Sequence, residues 1–518
     1  MALLEIENLT VSFVQYQSAL RQSVVPVVTN LDLQLHTGEI VAVVGASGSG
    51  KSLLAHAVMG LLPDNAVMNG SIRYEGRQLN DAALQNLHGK ELRLIPQSSA
   101  YLNPLLKVEK QLKVKPSSAN RRLGGWLDRA KSRAQLAQVK SIQEEAAHFH
   151  IFDMEAMKSL YPFQLSGGMA RKVLLSTAAA QEAKLIIADE PTPGLDVEAV
   201  KEALAGLKEL AAQGCAVLLI THDIEAAVAI ADRVAVMNEG RCVDIAPVEH
   251  FSQEGEKLKH PYTRALWQAL PCNGLKLADR SLDKIADRPK QLDDSDMKKY
   301  SSGEELLQGH DIAYRYKGGP WLFRQLNVTL RAGEVIGLVG PSGIGKSSLA
   351  SIMAGYMKPM EGRVIVGRQE DQMDNMQQKE TRYAKPHIYP VQLVLQHPEH
   401  AFNPRMKLKA SLAESWQPDE VFLKRLGISP QWLERWPHEL SGGELQRISI
   451  ARALHPEAQI LIADEMTAML DAITQAQIWH EVLAIAKERG MAVVVISHDP
   501  YLIERLCDRT ISLKQAVQ

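Results

Sequence analysis

An α/β fold built twice in tandem is predicted by three observations. Short apolar, β-rich runs such as GEIVAVVG, AKLIIADE and CAVLLITHD alternate with helical patterns, as in parallel sheets whose strands are buried on both faces. A glycine-rich loop lies between a strand and a helix at 41–52 and again at 336–347. The chain, at 518 residues, has room for two to four domains and repeats its motifs in the same order.

The repeat organises everything else. VAVVGASGSGKS recurs as IGLVGPSGIGKS, LIPQSSAYLNP as LVLQHPEHAFNP, YPFQLSGGM as WPHELSGGE, LIIADEPTPGLD as ILIADEMTAMLD, and LLITHD as VVISHD. An aromatic residue near the start of each half, Phe13 and Tyr316, is a sixth pair. Lys51 and Lys346 are 295 positions apart, Gln97 and Gln396 299, Ser166 and Ser441 275, Glu190 and Glu465 275, and His222 and His498 276. The register is nearly constant within each half, with one break: 69 positions separate Gln97 from Ser166 but 45 separate Gln396 from Ser441. The extra residues fall in the basic, polar stretch at 107–140. A polar run at 271–303 reads as a linker, which gives domains at 1–270 and 304–518.

Composition excludes several classes. A formal net charge of -2 gives no global field to recruit nucleic acid or anionic lipid. The four cysteines, Cys215, Cys242, Cys272 and Cys507, form no C-x-x-C pair, which argues against a disulfide framework or zinc site. The start, MALLEIENLTVSF, reads as a first strand, not a signal peptide. No stretch approaches the ~18 apolar residues that span a bilayer.

The chemistry sits in the repeated motifs. G-x-x-x-x-G-K-S occurs as Gly45, Ser47, Gly48, Gly50, Lys51 and Ser52, and as Gly340, Ser342, Gly343, Gly345, Lys346 and Ser347. Glycines let backbone N–H groups turn inward around phosphate oxygens at a helix N-terminus. The lysines would reach the β- and γ-phosphates and Ser52 and Ser347 would bind Mg²⁺. One such match arises by chance in about two of a hundred chains this long, so two in matching context are no accident. Asp189 and Asp464 end apolar strands, where a carboxylate can stand beside the metal. Glu190 and Glu465 follow them and can polarise an attacking water. His222 and His498, just past a later strand, can hydrogen-bond the γ-phosphate. Gln97 and Gln396 can contact Mg²⁺ or water, and each precedes an Asn-Pro loop. A lone strand-end histidine or glutamine would be an ordinary surface residue; their matched positions argue otherwise. His148 and His150 have no repeat partner and read as a surface pair.

Ser166, Gly167 and Gly168, like Ser441, Gly442 and Gly443, open a helix and make a second anion-binding terminus in each half. Each half already has its phosphate loop. The economical reading is an intramolecular dimer in which each LSGG caps the nucleotide held by the other half.

Together these motifs resemble the ATP-binding-cassette ATPases over nearly the whole chain. The resemblance implies P-loop domains with a RecA-like core, an antiparallel β subdomain and a helical subdomain. It also implies ATP and Mg²⁺ as ligands, with Phe13 and Tyr316 stacking on adenine. HPYTRALWQALP at 260–271, with the YPFQLSGGM, SSAYLNP and HAFNP segments, resembles the oligopeptide, dipeptide and nickel importers, here fused and close in size to nickel or metal–opine types. Such a subunit would energise import at the cytoplasmic face of the plasma (inner) membrane. It would work with two transmembrane permease subunits, supplied indirectly by an external substrate-binding protein and without nucleic acid. Departures exist: LSGGM-ARK lacks the Gln-Arg that LSGGE-LQR keeps, the later loops read PGLD and AMLD, and the second half lacks the terminal strand pair of the first. They predict two unequal sites, both hydrolytic. The alternative is a soluble tandem ATPase acting on ribosomes, but such proteins carry long charged linkers and no HPYTR. A repair ATPase would need paired cysteines or long heptad runs, which are absent.

Overall fold

The computed structural model describes residues 2–18, 21–46, 48–98, 101–112, 157–179, 183–195, 197–252, 255–277, 303–341, 343–367, 388–468 and 470–513. The chain divides into two compact units, Met1–Trp267 and Gln268–Gln518. Most of the basic stretch, His148 and His150, and the central linker residues 278–302 lie outside the described residues.

The first unit opens with β1 (Ala2–Ser18) and β2 (Arg21–His36), followed by β3 (Ile40–Gly45) and helix α1 (Lys51–Val58). Next come β4 (Ala66–Tyr74), β5 (Arg77–Gln78), α2 (Asp81–Leu87), β6 (Leu92–Ile95) and α3 (Val108–Leu112). The signature helix α4 (Gly167–Ala179) leads to β7 (Leu185–Asp189), α5 (Val197–Ala212) and β8 (Ala216–Ile220). The unit closes with α6 (Ile224–Ile230), β9 (Arg233–Asn238), β10 (Arg241–Pro247) and α7 (Pro261–Gln268).

Two sheets result. One is antiparallel in the order β2-β1-β4-β5; the other has the order β10-β9-β3-β8-β7-β6 and is parallel except for β10. Every residue of β3, β7 and β8 is buried, which is why these strands read as unbroken apolar runs. Leu54, Ala55 and Val58 of α1 join one core with residues of both sheets. Burying a side chain such as Leu54 contributes roughly 1.5–3 kcal/mol.

The second unit repeats the plan with β11 (Glu305–Arg315), β12 (Trp321–Arg331), β13 (Val335–Val339), α8 (Lys346–Met353), β14 (Glu361–Val366) and β15 (Val391–Val394). Short helices α9 (Leu408–Ala413), α10 (Glu420–Arg425) and α11 (Pro430–Leu433) precede the signature helix α12 (Gly442–Ala453). Then come β16 (Ile460–Asp464), α13 (Ala472–Arg489), β17 (Ala492–Ile496), α14 (Pro500–Leu506) and β18 (Arg509–Ser512). Its antiparallel sheet is β12-β11-β14, and its parallel sheet is β15-β16-β17-β13-β18.

The same ion pair ties the two sheets in each unit. Arg233 Nε lies 2.6 Å from Glu39 Oε1 while its NH2 donates to the Gln34 carbonyl of β2; Arg509 Nε lies 2.6 Å from Glu334 Oε1 while its NH2 donates to the Thr329 carbonyl of β12.

Two details differ from the sequence reading. The second half keeps one strand of the terminal pair, since β18 runs parallel to β13 as β9 runs beside β3. The start of the supposed linker is ordered against the second unit. Leu275 is fully buried, its carbonyl lies 3.2 Å from His480 Nε2, and the Gly274 carbonyl accepts from Arg505. The apolar residues Pro271 and Leu275 are both buried here, and a polar average over 271–303 conceals them.

Candidate nucleotide sites

Each parallel sheet gathers its motif residues at the carboxyl ends of its strands, where an open α/β sheet binds ligands. The glycine loop follows β3, the Asp-Glu pair ends β7, the histidine follows β8, and the glutamine follows β6. The second unit does the same with β13, β16, β17 and β15.

Backbone geometry explains the glycines. Gly45 has φ 150°, and a Cβ there would stand 2.0 Å from the Met237 carbonyl oxygen on the neighbouring β9. Gly50 is the N-cap of α1 in the left-handed region, with no side chain capping the helix, and Gly345 does the same for α8. The first N–H groups of each helix are thereby left for a ligand. Lys51 is 8% exposed, and its Nζ donates to the Gly45 and Ala46 carbonyls, both at 2.8 Å. Lys346 is as deeply held and donates to Gly340 and Pro341 at 2.9 and 3.1 Å. Its ammonium is drawn below the ordinary lysine range by burial, against the pull of Glu465 and Asp464. Two buried cations, each curled back on its own loop beside uncapped N–H groups, fit a polyphosphate. Ser47 and Ser342 lie outside the described residues.

The metal side is hard oxygen. Ser52 Oγ donates to Asp189 Oδ1 at 3.1 Å, and Ser347 makes the same bond to Asp464. Burial raises both aspartates above the ordinary carboxylate range, opposed by these hydroxyls and by Lys51 and Lys346. A hydroxyl and a carboxylate side by side suit Mg²⁺.

Glu190 and Glu465 share an uncommon backbone: both have φ 49°, in the left-handed region. The turn lets their N–H groups bond Ile220 and Ile496 at the ends of β8 and β17. It also aims each carboxylate at its histidine. Glu190 is 6% exposed, and both its oxygens lie 2.9 Å from His222 Nδ1. Glu465 Oε1 lies 3.0 Å from His498 Nε2. Burial lowers the His222 pKa, but the hydrogen bond and charge of Glu190, with Asp223, outweigh it and raise the group above its usual value.

The two sites are not copies. Gln396 Nε2 donates to Glu465 Oε2 at 2.6 Å. Gln97 is exposed, and the contact that holds it runs through its carbonyl, which accepts from Arg171 NH2. Arg171 and its counterpart Gln446 lie outside the nucleotide motifs, and the ARK/LQR difference after LSGG is the sequence signal that marks them.

The aromatic pair also differs. Phe13 is partly buried within β1, paired across the sheet with Val25. Tyr316 follows β11, is 56% exposed, and its hydroxyl lies 3.0 Å from Ser348 Oγ beside the phosphate loop. Ser166 and Ser441 are exposed on their own units. Ser441 is a full capping box with Glu444, while Ser166 Oγ accepts from Met169 N–H at 3.2 Å.

Fold and site together define a tandem P-loop nucleotide hydrolase. The ABC transporter family profile matches residues 28–193 and 323–468, once in each unit. The chain is 32% identical to the ABC transporter ATP-binding protein YejF of Escherichia coli K12 over 99% of its own length and 94% of that protein. It is 30% identical to the glutathione import ATP-binding protein GsiA of the same organism, over 98% of its length and 84% of that protein. Among solved structures, RNase-L Inhibitor superimposes with a TM-score of 0.62 at 20% identity, covering 94% of this chain and 85% of that one, a likeness of fold alone. The chain belongs to the ABC transporter family as a tandem-cassette ATP-binding protein, and it is an ATPase.

Proposed function

We propose that the protein energises a bacterial importer for peptides, nickel or metal–opine complexes. The observation that carries the reading is likeness along both cassettes to a protein named for glutathione import. The HPYTR segment supports it, folding as α7 at the end of the first unit. Among the described residues no helix is long and apolar enough to cross a membrane, so the spanning path would come from two permease subunits at the cytoplasmic face.

In this reading Lys51 and Lys346 bind the β- and γ-phosphates, and Tyr316 and Phe13 stack on adenine. Ser52 with Asp189, and Ser347 with Asp464, hold Mg²⁺, assisted by Gln97 and Gln396. When bound, the ion neutralises charge on the phosphates. Glu190 and Glu465 orient and polarise the attacking water, and His222 and His498 donate toward the γ-phosphate. The serine and glycines that open α4 and α12 complete the site of the opposite cassette. Their exposure, and the presence of a full phosphate loop in each unit already, support that pairing. Fusion raises the effective concentration of one cassette for the other.

The test is affinity purification of the tagged chain from detergent-solubilised membranes, with uptake assays in a deletion strain. Recovery of hydrophobic permease chains and loss of peptide, nickel or metal-chelate uptake support the proposal. Recovery with ribosomes and unchanged uptake overturn it.

A further inference from the structure

The Gln97 loop and the Gln396 loop are held by different chemistry. In the second unit Gln446, on the second turn of α12, donates from Nε2 to the Leu395 carbonyl at 3.2 Å. The residue 275 positions earlier is Arg171 on α4. Its NH1 donates to the Pro96 carbonyl at 2.6 Å and its NH2 to the next carbonyl, that of Gln97. So a neutral amide with one bond to the loop is replaced by a guanidinium with two. Arg171 is 7% exposed. It carries no carboxylate hydrogen bond among those described, yet it feels the charges of Glu190 and Asp189, which oppose the lowering of its pKa by burial. A buried cation is costly, and two carbonyls do not neutralise it; the charges of Glu190 and Asp189 offset part of that cost.

We propose that Arg171 is a positioning residue that sets the first site apart, clamping the Gln97 loop to the signature helix and placing a fixed positive charge behind the Asp189–Glu190 pair. The clamp engages the Gln97 backbone, in contrast to Gln396, whose side chain reaches Glu465. The charge competes with Mg²⁺ for Asp189, the carboxylate on the metal side. The first site therefore needs more Mg²⁺ than the second to bind nucleotide tightly. This inference rests on the assignment of Asp189 to the metal side of the site.

The experiment uses the full chain with one phosphate loop silenced. Lys346→Ala leaves the first site and Lys51→Ala leaves the second. Mg²⁺ is titrated against binding of trinitrophenyl-ATP, and amide hydrogen exchange is followed over residues 93–98. Arg171→Gln in the Lys346→Ala chain should lower the Mg²⁺ half-saturation on the order of tenfold, because a unit charge near two buried carboxylates is weakly screened, and should speed loop exchange. Arg171→Lys keeps the charge but cannot grip two carbonyls, so it should speed exchange while holding the Mg²⁺ requirement. A merely structural arginine would give the same Mg²⁺ value in both variants. An unchanged half-saturation in Arg171→Gln overturns the proposal. Should that chain fail to fold, Gln446→Arg in the Lys51→Ala chain decides it, since the Mg²⁺ requirement of the second site must then rise. Loss of the Mg²⁺ response in Asp189→Asn tests the underlying assignment separately.

Discussion

Replacing Glu190 and Glu465 together by glutamine separates catalysis from folding. Each substitution keeps the side-chain shape and removes one charge and one acceptor. At the first site the carboxylate accepts from His222 Nδ1 at 2.9 Å and from the His222 N–H at 3.0 Å. Exchanging a charge-assisted bond for a neutral one costs about 1 kcal/mol. Removing a carboxylate that is only 6% exposed relieves a desolvation penalty of similar size. Net stability should therefore move by no more than ~1 kcal/mol, and the urea midpoint should barely shift. The rate is another matter. Loss of a positioned general base typically costs 10²–10⁴-fold, or about 3–5 kcal/mol of barrier. Phosphate release should fall by at least two orders of magnitude while Mg²⁺-dependent ATP binding persists. Turnover within tenfold of the parent would refute these glutamates as the water-activating residues; loss of ATP binding in a folded chain would show that they hold the nucleotide instead.

Two further outcomes follow from the geometry. Gly45→Ala must push its Cβ away from the Met237 carbonyl, 2.0 Å distant, and occupies a φ unfavourable for alanine, so it should cost roughly 1–3 kcal/mol and abolish nucleotide binding at the first site; thermal melting and single-site binding check both. His222 should titrate above 6.5 by NMR, and its midpoint should fall in Glu190→Gln, because burial then acts without its main opponent. Since the folded value is the raised one, the stability from this pair is fully present below about pH 6.5 and is lost as pH rises through the folded midpoint.

The sequence by itself determined what depends on local chemistry repeated in register. Apolar runs fixed by burial on both faces marked β3, β7, β8 and their counterparts, and the glycine loops, lysines, Asp-Glu pairs and histidines stood at offsets that no unrelated pair of domains would share. Their convergence at one end of each sheet follows from strand order, which periodicity does not reveal. The tertiary structure decided the rest because it depends on contacts between distant segments. The left-handed backbone of Glu190 and Glu465 comes from bonds to the ends of β8 and β17. The fastening of Leu275 beside His480 joins positions 205 apart. The grip of Arg171 on the Pro96 and Gln97 carbonyls joins positions 75 and 74 apart, and no spacing rule foretells it. A motif states which atoms are available; only packing decides which of them meet.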